Sequence, residues 1–211
     1  MGGTTVSSEL IKKLPKLKII ANYGVGYDAV DVKQATLSNV KVTNTPDVLN
    51  DEVADTAIAL TLCVYKNIAL ANQFLLEKKW LKSEYPLSKK FSGTKFGILG
   101  MGRIGKTIAK RIESFNCEIC YHSRNQKDVK YKYFSKLEDL AEYVDTLCVI
   151  TPGGEETKHL VNANVLQKLG KNGFLINIAR GTVIDQKALM YALQNNIIRG
   201  AGLDVFENEP N

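Results

Sequence analysis

The sequence predicts an α/β protein built on a doubly wound parallel sheet, with part of a second α/β unit ahead of it. From about Lys95 onward, short β-branched runs alternate with stretches of helical periodicity, the pattern of parallel strands joined by crossover helices. A glycine-rich turn, Gly100-Met101-Gly102-Arg103-Ile104-Gly105, closes the first run and opens a helical stretch. Polar and charged residues follow the later runs, at the edge where open parallel sheets gather their ligands.

Ahead of Lys95, Leu17–Ala21 and Val40–Thr43 read as strands. Asn50 makes an N-cap, and Asp51 and Glu52 suit the positive end of a helix dipole, so a long helix is expected from Asn50 to about Lys79. The later strands are expected at Lys95–Leu99, Cys117–Tyr121, Thr146–Ile150, Gly173–Ile178 and Gly200–Val205. Between the first two, Ile104, Ile108, Ala109, Ile112 and Phe115 recur at helical spacing and define one buried face. Ala188, Leu189, Ala192 and Leu193 do the same for a helix over about Gln186 to Gln194. The chain therefore divides into a partial unit at 1–46, a linking helix region at 47–94 and the main sheet domain at 95–211. The first 46 residues hold too few elements for a domain, and a further piece upstream is expected.

With 211 residues, 45% hydrophobic and 24% charged, the chain is neither disordered nor fibrous and can bury one or two cores. The apolar stretch Ala57–Leu62 lies between Asp55 and Lys66 and is far shorter than the roughly 20 residues that cross a bilayer, so no membrane span is expected. The opening MGGTTVSSEL has no basic leader or apolar core, and a cytoplasmic location is expected. Cys63, Cys117, Cys120 and Cys148 sit in apolar segments and are expected to be buried and structural. Cys117 and Cys120 form a C-x-x-C, but a strand would send them to opposite faces, and no second pair or histidine cluster accompanies them; no metal site is expected. The net charge of +6 comes from scattered lysines without interleaved aromatics, which suits phosphorylated cofactors and carboxylates better than nucleic acid.

The glycine-rich turn carries the chemistry of a dinucleotide site and makes the predicted sheet Rossmann-type. Gly100 permits the tight turn, Gly102 lets backbone approach a pyrophosphate, and Gly105 allows close helix–strand packing, while the helix N-terminus offers free N–H groups. About 20 residues on, where an acid would accept from the ribose 2′-hydroxyl of NAD, the sequence has Tyr121-His122-Ser123-Arg124-Asn125. A hydroxyl and a guanidinium there suit a 2′-phosphate, so NADP(H) is the expected cofactor, with NAD(H) the alternative; Arg124 stacking on the adenine or facing solvent is the competing reading. Thr151-Pro152-Gly153, Arg180-Gly181 and the stretch holding Asp204, Glu207 and Glu209 complete the set of residues after strands.

These segments resemble the D-isomer-specific 2-hydroxyacid dehydrogenases, and within them the glyoxylate/hydroxypyruvate reductase branch. The likeness rests on Gly24-Val25-Gly26-Tyr27-Asp28, Asn44-Thr45-Pro46-Asp47-Val48-Leu49, the Gly100-to-Gly105 loop, Asn177-Ile178-Ala179-Arg180-Gly181 with Val183-Ile184-Asp185, and Gly202-Leu203-Asp204-Val205-Phe206 followed by Glu209-Pro210. The resemblance implies that 1–46 belongs to a flavodoxin-like substrate domain. It implies that Arg180 pairs with the substrate carboxylate and polarises the keto oxygen, and that Glu209 orients a catalytic histidine. Backbone N–H groups of Val25 and Gly26 would bind the carboxylate. Asp204 would contact the nicotinamide amide, Ile178 would line the ring, and Thr151-Pro152 would lie along the cofactor. The helix after Asn50 resembles a dimer-forming arm, implying a homodimer.

The family's proton-donating histidine lies in a Pro-His segment beyond the Glu-Pro motif, and neither His122 nor His159 matches it; His159 is expected on a surface helix. The chain is therefore expected to be shortened at both ends relative to the family. NADPH-dependent reduction of a small 2-keto acid is the expected activity, impaired for want of that general acid. Two alternatives stand beside it. One is a non-catalytic NAD(P)-binding sensor or interaction module. The other is an NAD-dependent dehydrogenase of the phosphoglycerate or hydroxyphenylpyruvate type.

Overall fold

A computed structural model describes residues 5–209, and in it the five strands expected after Lys95 pair in parallel. They are β3 (Lys95–Leu99), β4 (Glu118–His122), β6 (Thr146–Val149), β7 (Phe174–Asn177) and β8 (Gly200–Leu203), joined by a short β5 (Lys132–Tyr133). The spatial order β5-β4-β3-β6-β7-β8 reverses direction between β3 and β6, the arrangement of a Rossmann-type sheet with its switch point there. The two residues of β5 are too few to show an alternating pattern, which hid that strand from the sequence. Ahead of the sheet, β1 (Ile19–Ala21) and β2 (Lys41–Thr43) form a small parallel pair, packed with α1 (Ser8–Lys12) and α2 (Val32–Leu37) around Ile11, Ala35 and Val40.

Alternation along the strands splits the core in two. Leu99, Leu147, Val149 and Leu175 face one side, packed beneath α6 (Leu137–Tyr143), α7 (Ala163–Leu169) and α8 (Gln186–Gln194). Phe96, Ile98, Cys148 and Ile176 face the other, beneath α3 (Asn50–Lys66) and α5 (Arg103–Glu113). On α5 the expected stripe is buried at Ile108, Ala109 and Ile112. On α3 the buried positions are Ala54, Ala57, Thr61 and Tyr65, and the small ones let the helix lie close to the sheet. A Cβ on Gly202 of β8 would meet Leu60 Cβ at 3.1 Å. Arg111 of α5 clamps α3 by bonding Asp51 at 2.9 Å and Asp55 at 2.6 Å.

The long helix expected to reach Lys79 breaks instead at Asn67, whose left-handed backbone (φ 51°, ψ 38°) ends α3. Asparagine tolerates that conformation, and its amide satisfies the last carbonyls of the helix. The chain resumes as α4 (Ile68–Leu76), bent 56° from α3. At the start of α3, Asn50 is the first helical residue and donates to Asp47 Oδ1 at 2.9 Å, while Leu49 holds the cap position. No single helix among the described residues is long and apolar enough to cross a membrane.

The cysteines are all free; Cys120 and Cys148 are fully buried, whereas Cys63 on α3 and Cys117 just ahead of β4 are only half-buried. Cys117 and Cys120 pack on opposite sides of the sheet, as strand geometry requires. Burial pushes the Cys148 thiol up to about 12, and burial with the nearby Glu118 charge pushes Cys120 up to about 11, so both stay protonated.

The buried Tyr65 hydroxyl pairs with the Thr146 hydroxyl at 2.9 Å, joining α3 to the first residue of β6. Tyr65→Phe leaves the Thr146 hydroxyl without a partner and is expected to cost about 1–2 kcal/mol in urea unfolding, while adding Thr146→Val is expected to restore most of that loss.

Candidate functional site

The glycines of the turn after β3 do different work. Gly100 has φ 111°, and a Cβ there would stand 2.7 Å from the Ile150 carbonyl, so this glycine lets the ends of β3 and β6 meet at the switch point. A Cβ on Gly105 would lie 2.2 Å from the Gly100 carbonyl, which seats α5 on the turn. Gly102 has an ordinary extended backbone (φ −85°), and nothing lies within 4 Å of where its Cβ would be. The polypeptide itself has no need of a glycine there; a ligand brought close to the backbone does. α5 begins at that point without a side-chain cap, leaving first-turn N–H groups for an anion.

The other expected residues of the turn contribute differently. Met101 is buried beneath the loop, so it serves through its backbone, and Ile104 packs half-buried on the core. Arg103 pairs with Asp47 at 2.9 Å, tying the turn to the segment that leads into α3.

Beyond β4, the Ser123 hydroxyl donates to the Asn125 carbonyl at 2.7 Å, while Arg124, with an 82% exposed side chain, pairs with Glu156 at 2.8 Å. His122 Nδ1 lies 2.9 Å from the Phe134 carbonyl. Beyond β6, the Thr151 hydroxyl is buried without a partner among the described residues. With the open space over Gly102, this orphaned hydroxyl is the second sign of a group bound along the crevice. The adjoining Pro152 carbonyl accepts from the Thr157 hydroxyl at 2.8 Å, which holds that loop in shape.

Arg180 is placed by Asn177, which the sequence marks as part of a motif without showing its role. Asn177, at the end of β7, accepts from the Ala179 amide and donates to the Arg180 carbonyl, both at 3.0 Å, and so closes the turn that aims the arginine outward. Arg180 Nη1 donates to the Ala179 carbonyl at 2.8 Å. Its Nε and Nη2 donate to the two carboxylate oxygens of Asp28, at 3.1 and 3.0 Å. Burial raises the Asp28 pKa, and the Arg180 guanidinium, by hydrogen bonds and charge, more than offsets it, holding the carboxyl below its usual range.

The loop before Asp28 is fixed by two more asparagines. Asn22 Nδ2 donates to the carbonyls of Gly24 and Gly26, at 3.2 and 3.0 Å, and Asn44 Nδ2 donates to that of Val25 at 2.9 Å. With these carbonyls held, the amides of Val25 and Gly26 have no acceptor among the described residues. Gly26 lies against Arg180, since a Cβ on it would fall 1.8 Å from Arg180 Nη2, and Val25 is its chain neighbour. Guanidinium and loop amides thus converge from the two units on one place.

The carboxylates after β8 make separate contacts. Glu209 is exposed and curls back onto the Phe206 amide, within its own loop. The acid that meets a histidine is Glu207, with Oε1 3.2 Å from His159 Nε2. His159 is in a left-handed turn (φ 51°) rather than a helix, because its amide bonds the Thr182 carbonyl across the loop at 2.9 Å. Asp204 is exposed just past the strand, its amide on the Asn177 carbonyl at 2.9 Å. Ile178 is 5% exposed and mostly core, offering the crevice only an edge. Pro210, the second half of the Glu-Pro motif, lies outside the described residues. No group of three metal-ligating side chains occurs among the described residues.

Residues 58–211 match the model of the D-isomer specific 2-hydroxyacid dehydrogenase NAD binding domain. The chain belongs to the D-isomer specific 2-hydroxyacid dehydrogenase family. It is 45% identical over 204 residues to glyoxylate/hydroxypyruvate reductase A of Arabidopsis thaliana, covering 96% of this chain and 65% of that one. Identity is also 45% over 204 residues to hydroxyphenylpyruvate reductase of Plectranthus scutellarioides, with the same coverage. The crystal structure of an NADPH-dependent glyoxylate/hydroxypyruvate reductase from Sinorhizobium meliloti, in complex with NADP and malonate, superposes with a TM-score of 0.94 at 48% identity, over 99% of this chain and 66% of that one. The chain thus spans about 65% of the length of the curated relatives it matches.

In this member of the 2-hydroxyacid dehydrogenase family, the crevice over the glycine turn is the candidate site for a nicotinamide dinucleotide. The residues fit the cofactor: Gly100, Gly102 and Gly105 with the first turn of α5 would hold its pyrophosphate, and Thr151 offers a free hydroxyl along its path. Gly102→Ala is expected to leave the melting temperature within about 2 °C, since nothing in the chain is crowded, yet to weaken NADPH binding by about tenfold in a fluorescence titration. Gly100→Ala is expected to lower the melting temperature by several degrees, because it strains the backbone and strikes Ile150.

Proposed function

We propose that this family member reduces a small 2-keto acid of the glyoxylate or hydroxypyruvate type to the 2-hydroxy acid, with NADPH as the preferred cofactor. The observation that carries the reading is the convergence of the Arg180 guanidinium with the free amides of Val25 and Gly26. That arrangement suits an anion with a carboxylate and an adjacent oxygen. The names of the relatives, reductases of glyoxylate and hydroxypyruvate, agree with it.

When bound, the nicotinamide supplies the hydride. The loop amides hold the keto acid's carboxylate, and Arg180 stabilises the negative charge that grows on the keto oxygen. The proton for that oxygen needs a donor at Arg180. Both histidines are engaged elsewhere, His122 with the Phe134 carbonyl and His159 with Glu207. Turnover by these 211 residues acting alone is therefore expected to be low, because a positioned general acid is worth about 10²–10⁴-fold. Arg180→Gln is expected to lower glyoxylate reduction by about 100-fold while NADPH affinity changes less than about twofold. Unchanged turnover in that variant would remove the basis of the reading.

Preference for NADPH rests on Arg124, an exposed cation where NAD selection would place an acid. The 2′-phosphate would replace Glu156 as its partner. In Arg124→Asp the ratio of NADPH to NADH efficiency (kcat/KM) is expected to fall at least about tenfold, and an unaltered ratio would refute the preference.

The proposal extends to a homodimer. α4 has no buried residue, and Ile68, Leu70, Leu75 and Leu76 are 54–74% exposed, with Trp80 and Leu81 continuing the apolar surface. Sedimentation of the chain is expected to give a dimer, and Leu76→Lys combined with Leu81→Lys a monomer.

A further inference from the structure

We propose that Asp28 is a positioning residue for Arg180, fixing the direction in which the guanidinium meets the keto acid. The inference rests on the reading of Arg180 as the substrate arginine and adds a role for a residue of the other unit. A guanidinium carries five N–H groups. In Arg180, Nε and one hydrogen of Nη2 go to Asp28, and one hydrogen of Nη1 goes to the Ala179 carbonyl, which leaves one N–H on each terminal nitrogen. The paired oxygens of Asp28 set the plane of the fork, as a single acceptor could not.

Two glycines mark the slot this pair occupies. A Cβ on Gly153 would lie 2.9 Å from both Arg180 Cγ and Asp28 Oδ2, and one on Gly26 would lie 1.8 Å from Arg180 Nη2 and 2.9 Å from Asp28 Oδ1. Neither glycine has positive φ, so any residue could adopt its backbone. What keeps both positions small is room for the ion pair.

Stability is not what the pair supplies. Its side chains remain 43% and 30% exposed, and ion pairs so open to water contribute little to folding. Nor does it simply attract the substrate, because the Asp28 charge repels a carboxylate while the guanidinium it aligns attracts one. Those effects oppose each other in binding. Alignment alone governs how well the arginine stabilises charge on the keto oxygen, so the loss of Asp28 falls on turnover.

The test compares glyoxylate turnover with binding of oxalate, an unreactive planar mimic of glyoxylate, to the NADPH-saturated chain. Asp28→Ala is expected to lower kcat by about tenfold or more while the oxalate Kd, by calorimetry, stays within about threefold. NADPH affinity and melting temperature are expected to hold. Gly26→Ala, which pushes the guanidinium aside without changing charge, is expected to lower kcat similarly. Since both variants dislodge one group, the double variant is expected to lose no more than the worse single one. If Asp28→Ala folds poorly, Asp28→Asn, which keeps the volume and one acceptor oxygen, takes its place with a smaller loss. Three outcomes would overturn the proposal: kcat retained within about twofold, losses that multiply in the double variant, or melting temperature and NADPH affinity falling together with kcat. A wild-type chain that neither turns over glyoxylate nor binds oxalate would sink the proposed function and this inference with it. An active wild type with an unaffected Asp28 variant would sink only the inference.

Discussion

Parallel pairing of β3 with β4 on one side and β6 on the other obliges the chain to leave all three strands at one edge of the sheet. Each crossover helix must then return the chain to the opposite edge, so every strand delivers its next few residues to the same crevice. The glycine turn, Ser123-Arg124, Thr151-Pro152 and Arg180-Gly181 become neighbours for that reason, although tens of residues separate them in sequence. At the switch point between β3 and β6 the two chain ends come so close that only a glycine, Gly100, fits against the Ile150 carbonyl. The crevice opens where the helices on the two faces diverge, and α5 presents its uncapped end there.

Placing a residue at the edge does not aim its side chain, and the aiming falls to short polar side chains acting on backbone. Asn177 shapes the Arg180 turn, while Asn22 and Asn44 take up the carbonyls of the Gly24–Gly26 loop and so leave its amides for a ligand. Carboxamides suit this work because one group both donates and accepts without adding charge beside an anion site. The loop is held through its carbonyls, so its amide donors can be rigid and still unpaired.

Much of this was legible in the sequence, and the parts that were not share a cause. Strong periodicity over several residues located β3 and α8 with the bounds the structure shows. The residues following the strands were readable because topology alone puts them together. Hydrogen bonds between distant segments were not, and the Asp28–Arg180 pair spans 152 residues. Asp28 stood in a segment already noted for its glycines, and nothing local marks it as the partner of an arginine. The helix break at Asn67 escaped for a different reason: composition stays apolar through it, and one left-handed asparagine redirects the chain. Glu207 read as one of the residues following the last strand and His159 as part of a surface helix, and their contact at 3.2 Å joins residues 48 apart in sequence.

Charge at the edge follows a pattern that the net charge of +6 conceals. Arg103, Arg124 and Arg180 each hold a carboxylate already, Asp47, Glu156 and Asp28 respectively, at 2.8–3.0 Å. An arriving anion therefore meets guanidinium groups that are already paired. Specificity must come from what happens at contact. At Arg124 the pair is almost wholly exposed, so another anion would exchange for Glu156 at little cost in desolvation. At Arg180 the carboxylate partner is more enclosed and engages two nitrogens, so the pair is harder to displace and other N–H groups of the guanidinium stay outside it. The same residue type thus forms a loose pair at one end of the crevice and a firmer one at the other, the difference being set by how far its acid is buried and how many bonds it makes.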